Sequence, residues 1–146
     1  MIRVSESFRR RIKEHARQTY PYECCGILLG RVESSPLTPH PSPLKVVTDI
    51  KALDNVHEEG HERRYLISPQ QMFEVQRDAR ARKLDILGVY HSHPDHPNRY
   101  SEYDRSHAWP WYSYIIVSVR KGEPKQMRCW ILSDDQTKMN QEKMLR

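Results

Sequence analysis

The chain has 146 residues, 37% hydrophobic and 29% charged, with a formal net charge of +5. That length suits one domain, residues 1–146, whose core needs neither disulfides nor a structural metal, and its clustered apolar segments speak against disorder. No apolar run approaches the ~20 residues of a membrane span, and the first residues lack the apolar centre of a signal peptide. Three cysteines, Cys24, Cys25 and Cys129, form no C-x-x-C pair, so the expectation is a soluble cytoplasmic protein with reduced thiols.

Ser5 is placed to cap a first helix to about Gln18, with Val4, Phe8, Ile12 and Ala16 along one side at helical spacing. Tyr20-Pro21 ends it. Glu23 then precedes an apolar run, Gly26 to Val32, that reads as a buried central strand. Pro36, Pro39, Pro41 and Pro43 make the stretch from Ser34 to Pro43 an exposed, semi-rigid loop, and Lys45 to Leu53 alternates as a half-buried strand. Asn55 to Arg64 is polar; His57 and His61 lie four apart but without apolar periodicity, so the segment reads as a rim loop.

Ser68-Pro69-Gln70-Gln71 is a capping box with proline at the first helical position, opening a helix to about Arg82 that buries Met72, Val75 and Ala79, with Ile67 stapled onto Met72. Asp85 to His93 reads as a mostly apolar strand, followed by a loop and a short helix from Ser101 to Ala108. Trp109-Pro110-Trp111 breaks that helix and offers aromatic surface, with core packing as its default reading. Strands Tyr114 to Val119 and Gln126 to Leu132 flank a turn at Lys121 to Pro124, and the polar tail Ser133 to Arg146 reads as a frayed helix. The basic runs Arg9-Arg10-Arg11 and Arg77 to Lys83 are interrupted by acids. They read as solvated helix faces, attractive to an acidic protein, rather than as a nucleic-acid surface. Helices flanking a sheet in mixed order define an α+β chain, with a three-layer α/β/α arrangement as its expected form.

The chemistry concentrates in His91-Ser92-His93-Pro94-Asp95-His96-Pro97 and in Ser101 and Asp104 beyond it. Alternate side chains of a strand share a face, so His91 and His93 should point the same way as Leu87 and Val89. Two imidazoles on one rigid strand end are half of a metal site, to which Asp104 can return a carboxylate. Two His and one carboxylate leave a fourth tetrahedral position for water, the pattern of a catalytic zinc. Ser101-x-x-Asp104 is also a helix cap with an acid at the third helical position, and the two roles are compatible. His91-x-His93-x-Asp95-His96 equally fits the pattern of metallo-β-lactamase-type hydrolases. Here, however, the motif lies past the midpoint and only His107 follows it, leaving a binuclear site short of ligands.

The spacing His-x-His, seven residues, Ser, two residues, Asp resembles the JAMM (MPN+) motif of zinc-dependent deubiquitinases and their small bacterial and archaeal relatives. Tyr20 to Gly30 is similar to the segment that carries that family's upstream glutamate, and the resemblance extends to Ser113–Val119. The family usually has proline before the serine, where this chain has Tyr100. The resemblance implies an MPN fold with a central mixed sheet, and one Zn2+ held by His91, His93 and Asp104. It also implies Glu23 as the base that handles the water proton, and Ser101 as a donor to the oxyanion. The residues alone do not single out Glu23 from Glu33, Glu58, Glu59 or Glu62. The implied reaction is hydrolysis of a peptide or isopeptide bond after the C-terminal Gly-Gly of a ubiquitin-like or sulfur-carrier protein. A metal-free MPN-type scaffold is the alternative, and the presence of all five chemical groups argues against it.

Overall fold

The computed structural model describes residues 1–35, 42–57 and 64–146. Pro36, Pro39 and Pro41 and the middle of the rim loop, His61 included, lie outside the described residues. One eight-stranded mixed sheet organises the rest, with strand order β7 (Met139–Glu142), β6 (Glu123–Leu132), β5 (Ser113–Arg120), β4 (Asp85–Pro94), β2 (Cys25–Ser35), β3 (Ser42–Leu53), β1 (Ile2–Arg3) and β8 (Met144–Leu145).

Local signals set the helices. Ser5 caps α1 (Glu6–Thr19), its Oγ accepting from the Phe8 N–H, and Ser68 opens α2 (Pro69–Ala81) with a complete capping box to Gln71. Helix α1 buries Ile12 and Ala16 against one face of the sheet, beside Leu28, Tyr90, Ile115 and Val117. On the other face α2 buries Val75 and Ala79 against Ile27, Leu29, Val89 and Ile116, with Met72 and Ile67 packed at the edge. The result is three layers, α/β/α. Part of the basic charge of the helices is spent on structure: Arg9 donates to Val4 O and Leu145 O, and Arg82 pairs with Asp49 and Asp78.

The strands run longer than the apolar pattern predicts. β2 (Cys25–Ser35) and β3 (Ser42–Leu53) stay antiparallel as far as Ser35 opposite Ser42, so pairing takes both ends of the expected proline loop, Pro43 included. β4 (Asp85–Pro94) lies between β2 and β5 (Ser113–Arg120), antiparallel to the first and parallel to the second. A parallel neighbour needs a crossover, and α3 (Glu102–His107) lies within it. β5 and β6 (Glu123–Leu132) form a hairpin turning at Lys121-Gly122, both at positive φ.

Three expectations are corrected. Leu87 does not share the face of His91: the register with β2 slips at Leu28/Leu29, and Leu87 turns to the α1 face while Val89 stays with the histidines. Gly88 at this bulge is required by close approach, since a Cβ there would lie 1.8 Å from Ser113 O. The tail from Ser133 to Arg146 is not helical. It forms β7 (Met139–Glu142) on β6 and β8 (Met144–Leu145) on the short β1 (Ile2–Arg3), so the two ends of the sheet meet across Lys143. Trp109 and Trp111 are exposed rather than packed in the core. Among the described residues no helix is long and apolar enough to cross a membrane.

Candidate metal centre

The site forms where β4 ends. Alternation from Val89 puts His91 and His93 on the α2 face, and direct pairing of Cys25 with His91 carries the preceding Glu23 to the same side. Beyond Pro94 the chain turns, and Asp104 returns in the first turn of α3. Ser101 and Asp104 hold each other reciprocally: Ser101 Oγ accepts from the Asp104 N–H (3.1 Å), and Asp104 Oδ2 accepts from the Ser101 N–H (2.8 Å). The capping box thus aims the carboxylate at the histidines. Ser101 spends only a lone pair on it, so its O–H is free to donate.

Glu23, His91, His93 and Asp104 are all buried, and one ligating atom from each lies within 4.8 Å of the others. His93 Nδ1 faces Pro97 O at 2.8 Å. A carbonyl can only accept, so Nδ1 carries the proton and, in the neutral ring, Nε2 presents its lone pair. That lone pair faces Asp104 Oδ2 at 3.1 Å. Two acceptors held this close call for a cation between them or for protonation of the ring.

His91 repeats the pattern. Its Nδ1 is 2.9 Å from Glu23 Oε1 and its Nε2 is 3.5 Å from Asp104 Oδ1, yet neither nitrogen is aligned for a hydrogen bond, and Glu23 Oε2 has no partner either. Buried polar atoms are rarely left unmade. Burial would lower the His91 pKa, but the Asp104 and Glu23 carboxylates outweigh it and hold it above its usual value. Burial likewise pushes Asp104 up, and the two imidazoles with the Ser101 N–H overcome this to hold its carboxyl well below the usual range. Orphaned imidazole nitrogens, two carboxylates and no Lys or Arg among the four groups fit a divalent cation with nitrogen and oxygen ligands.

The surroundings hold this geometry. The Tyr65 ring stacks on His91 with centroids 4.4 Å apart. Asn55 Nδ2 donates to Glu23 O (3.0 Å) and Arg64 O (2.9 Å), while its Oδ1 accepts from the N–H groups of His57 and Leu66. Sequence reasoning missed both residues; a lone asparagine or tyrosine at the margin of a polar loop carries no spacing signal. Glu23, His93 and Ser101 open onto a cavity of about 270 Å³ walled by Pro94, His96, Pro97, Arg99 and Tyr100. The lactamase-like pattern does not assemble. Asp95 is bound to Tyr20 Oη and the Lys121 N–H, His96 is exposed, and His107 stacks on Tyr103.

The mixed sheet flanked by helices is the JAB1/MPN fold, shared with a solved JAB1/MPN domain protein of Archaeoglobus fulgidus at TM-score 0.53 and 17% identity over 99% of this chain and 98% of that one. Residues 5–133 match the family of prokaryotic homologs of the JAB domain, and the chain belongs to it. It is 31% identical over 122 residues to the desampylase of Haloferax volcanii, covering 80% of each chain. Two solution structures resemble it closely. The Desulfitobacterium hafniense protein DSY2949 matches with TM-score 0.82 and 26% identity, over 99% of this chain and 92% of that one. A Salinibacter ruber protein matches with TM-score 0.72 and 33% identity, over 100% and 91%.

Proposed function

We propose that the protein is a zinc-dependent peptidase that hydrolyses a peptide or isopeptide bond after the C-terminal Gly-Gly of a ubiquitin-like or sulfur-carrier protein. The observation that carries this is the buried set Glu23, His91, His93 and Asp104, short of partners and open to a cavity on one side. Similarity to a desampylase supports the substrate class. Glycine at the cleavage site would let the backbone approach so narrow a cleft. Three unbridged cysteines support a cytoplasmic setting.

In this reading His91, His93 and Asp104 hold the zinc, which supplies Lewis acidity toward water and the scissile carbonyl. Glu23 takes the proton of the attacking water and returns it to the leaving amine. The Ser101 O–H donates to the oxygen on which negative charge develops. Pro97 O fixes the His93 tautomer, so that Nε2 is the ligating atom.

Two variants test the division of labour. Glu23→Ala should retain zinc and lose turnover, whereas His91→Ala should lose both; equal zinc content in the two would refute these roles. The scaffold alternative predicts that neither substitution changes zinc content, because none is bound.

A further inference from the structure

The loop between β4 and α3 is pinned at nearly every residue. Asp95 accepts from Tyr20 Oη (2.7 Å) and from the Lys121 N–H (2.8 Å), and His96 O accepts from Ser118 Oγ (2.5 Å). Pro97 O accepts from His93, Asn98 Nδ2 donates to Gln126 O, and Asn98 O accepts from Trp130 Nε1. Tyr100 packs edge-on against Trp130, with centroids 5.2 Å apart. Arg99 is different. Its side chain makes no hydrogen bond or ion pair among the described residues, yet it lines the same cavity as Glu23, His93 and Ser101 and is the one Lys or Arg to do so.

Arg99 is exposed, and an exposed arginine on a mobile loop would mean little. Here a hydrogen-bonded frame holds a permanently charged, planar fork beside the reacting groups, with Pro94, Pro97 and Tyr100 supplying uncharged walls. Glu102 and Asp95, the nearest acids in sequence, are already engaged, the first by Arg105 and the second by Tyr20 and Lys121. The group that matches such a fork is a carboxylate, bound through two parallel N–H···O bonds.

Resting on the peptidase reading, we infer that Arg99 is a specificity-determining residue that recognises a substrate carboxylate close to the scissile bond. Two sources share this chemistry: the free C-terminal carboxylate of a short leaving group, and an acidic side chain in the tail before the two glycines. The first would make the enzyme one that trims a carrier tail.

The test uses three synthetic peptides with the zinc-loaded enzyme: one ending Glu-Gly-Gly-Ala with a free C-terminus, its C-terminal amide, and a Gln-Gly-Gly-Ala counterpart of the first. Wild type should prefer the carboxylate-bearing member of one pair by ~10–100-fold in kcat/KM, the worth of a charge-assisted bond. Arg99→Gln should erase that preference while leaving the disfavoured peptide's kcat/KM unchanged; Arg99→Lys should restore it in part. Sensitivity to the amide places the carboxylate on the leaving side, and sensitivity to Glu against Gln places it in the tail.

Equal effects of Arg99→Gln on all three peptides, or none on any, would overturn the inference while leaving the peptidase reading intact. If wild type cleaves none of them, the peptidase reading fails instead. Calorimetric binding of the same peptides to zinc-loaded Glu23→Gln then decides the inference: an Arg99-dependent preference supports it, and equal binding with and without Arg99 overturns it.

Discussion

Two buried polar clusters lie on the same sheet and answer the cost of burial in opposite ways. Lys45, Ser113 and Glu142 form a closed account of donors and acceptors: Lys45 Nζ donates to Trp111 O and to Ser113 Oγ (2.8 Å), and Ser113 Oγ donates to Glu142 Oε2 (2.6 Å). Lys45 reaches the Glu142 carboxylate through Ser113, and the Met1 amino group pairs with it directly at 3.3 Å. The set Glu23, His91, His93 and Asp104 has two carboxylates, two imidazoles and no lysine or arginine, and it leaves buried atoms of Glu23 and His91 without hydrogen bonds. The first cluster is complete as folded, and the second leaves ligand atoms that could hold a cation. A satisfied buried network reads as architecture, and an unsatisfied one reads as a site.

The sharpest break of that comparison is in stability. Lys45→Met removes two buried charge-assisted hydrogen bonds, to Trp111 O and Ser113 Oγ, and at about 1.5–3 kcal/mol each should cost about 3–5 kcal/mol in denaturant unfolding. Glu23→Gln removes a charge from the unbalanced set. It should leave the metal-free unfolding midpoint at pH 8 no lower than wild type. A loss like that of Lys45→Met would mean that the carboxylate is there for the fold.

Next in size is Ser101→Ala. It should reduce kcat by ~10²–10³-fold if the hydroxyl serves the oxyanion, and it should lower stability by only about 1 kcal/mol through the lost cap. A rate change no larger than the stability change would leave Ser101 as a cap alone.

The smallest effect is a pH dependence. In the metal-free protein the raised His91 pKa contributes stability below its unfolded value of about 6.5, and this is lost as pH rises through the folded value. Asp104, held low, contributes above its unfolded value of about 3.9 and loses that as pH falls. The metal-free unfolding midpoint should therefore drop between about pH 6 and about pH 8. Zinc needs the neutral imidazole, so the shift produced by saturating zinc should grow over the same interval. Parallel pH curves with and without zinc would contradict it.

Much of this was legible in the residues, for physical reasons that differ by element. The caps at Ser5, Ser68 and Ser101 act within three residues and so declare themselves in the sequence. The His-x-His pair is legible because a strand's period of two forces both rings to one face. Leu87 was misplaced by that same rule, because a bulge is set by the partner strand and by the tight passage at Gly88.

The tail does not declare itself as strand because β7 is mostly polar and β8 only two residues long, and both are strands only through pairing with β6 and β1. Tertiary pairing overrode propensity there. Asn55 and Tyr65 became visible only once the strand end carrying Glu23 and His91 was in place.

The most direct test is the zinc content of the purified protein after equilibration with zinc and desalting, wild type beside His93→Ala. The account predicts one zinc per chain in wild type and loss of it in the variant. Zinc-free wild type, or zinc retained undiminished by His93→Ala, would contradict the claim that His91, His93 and Asp104 hold a metal beside Glu23.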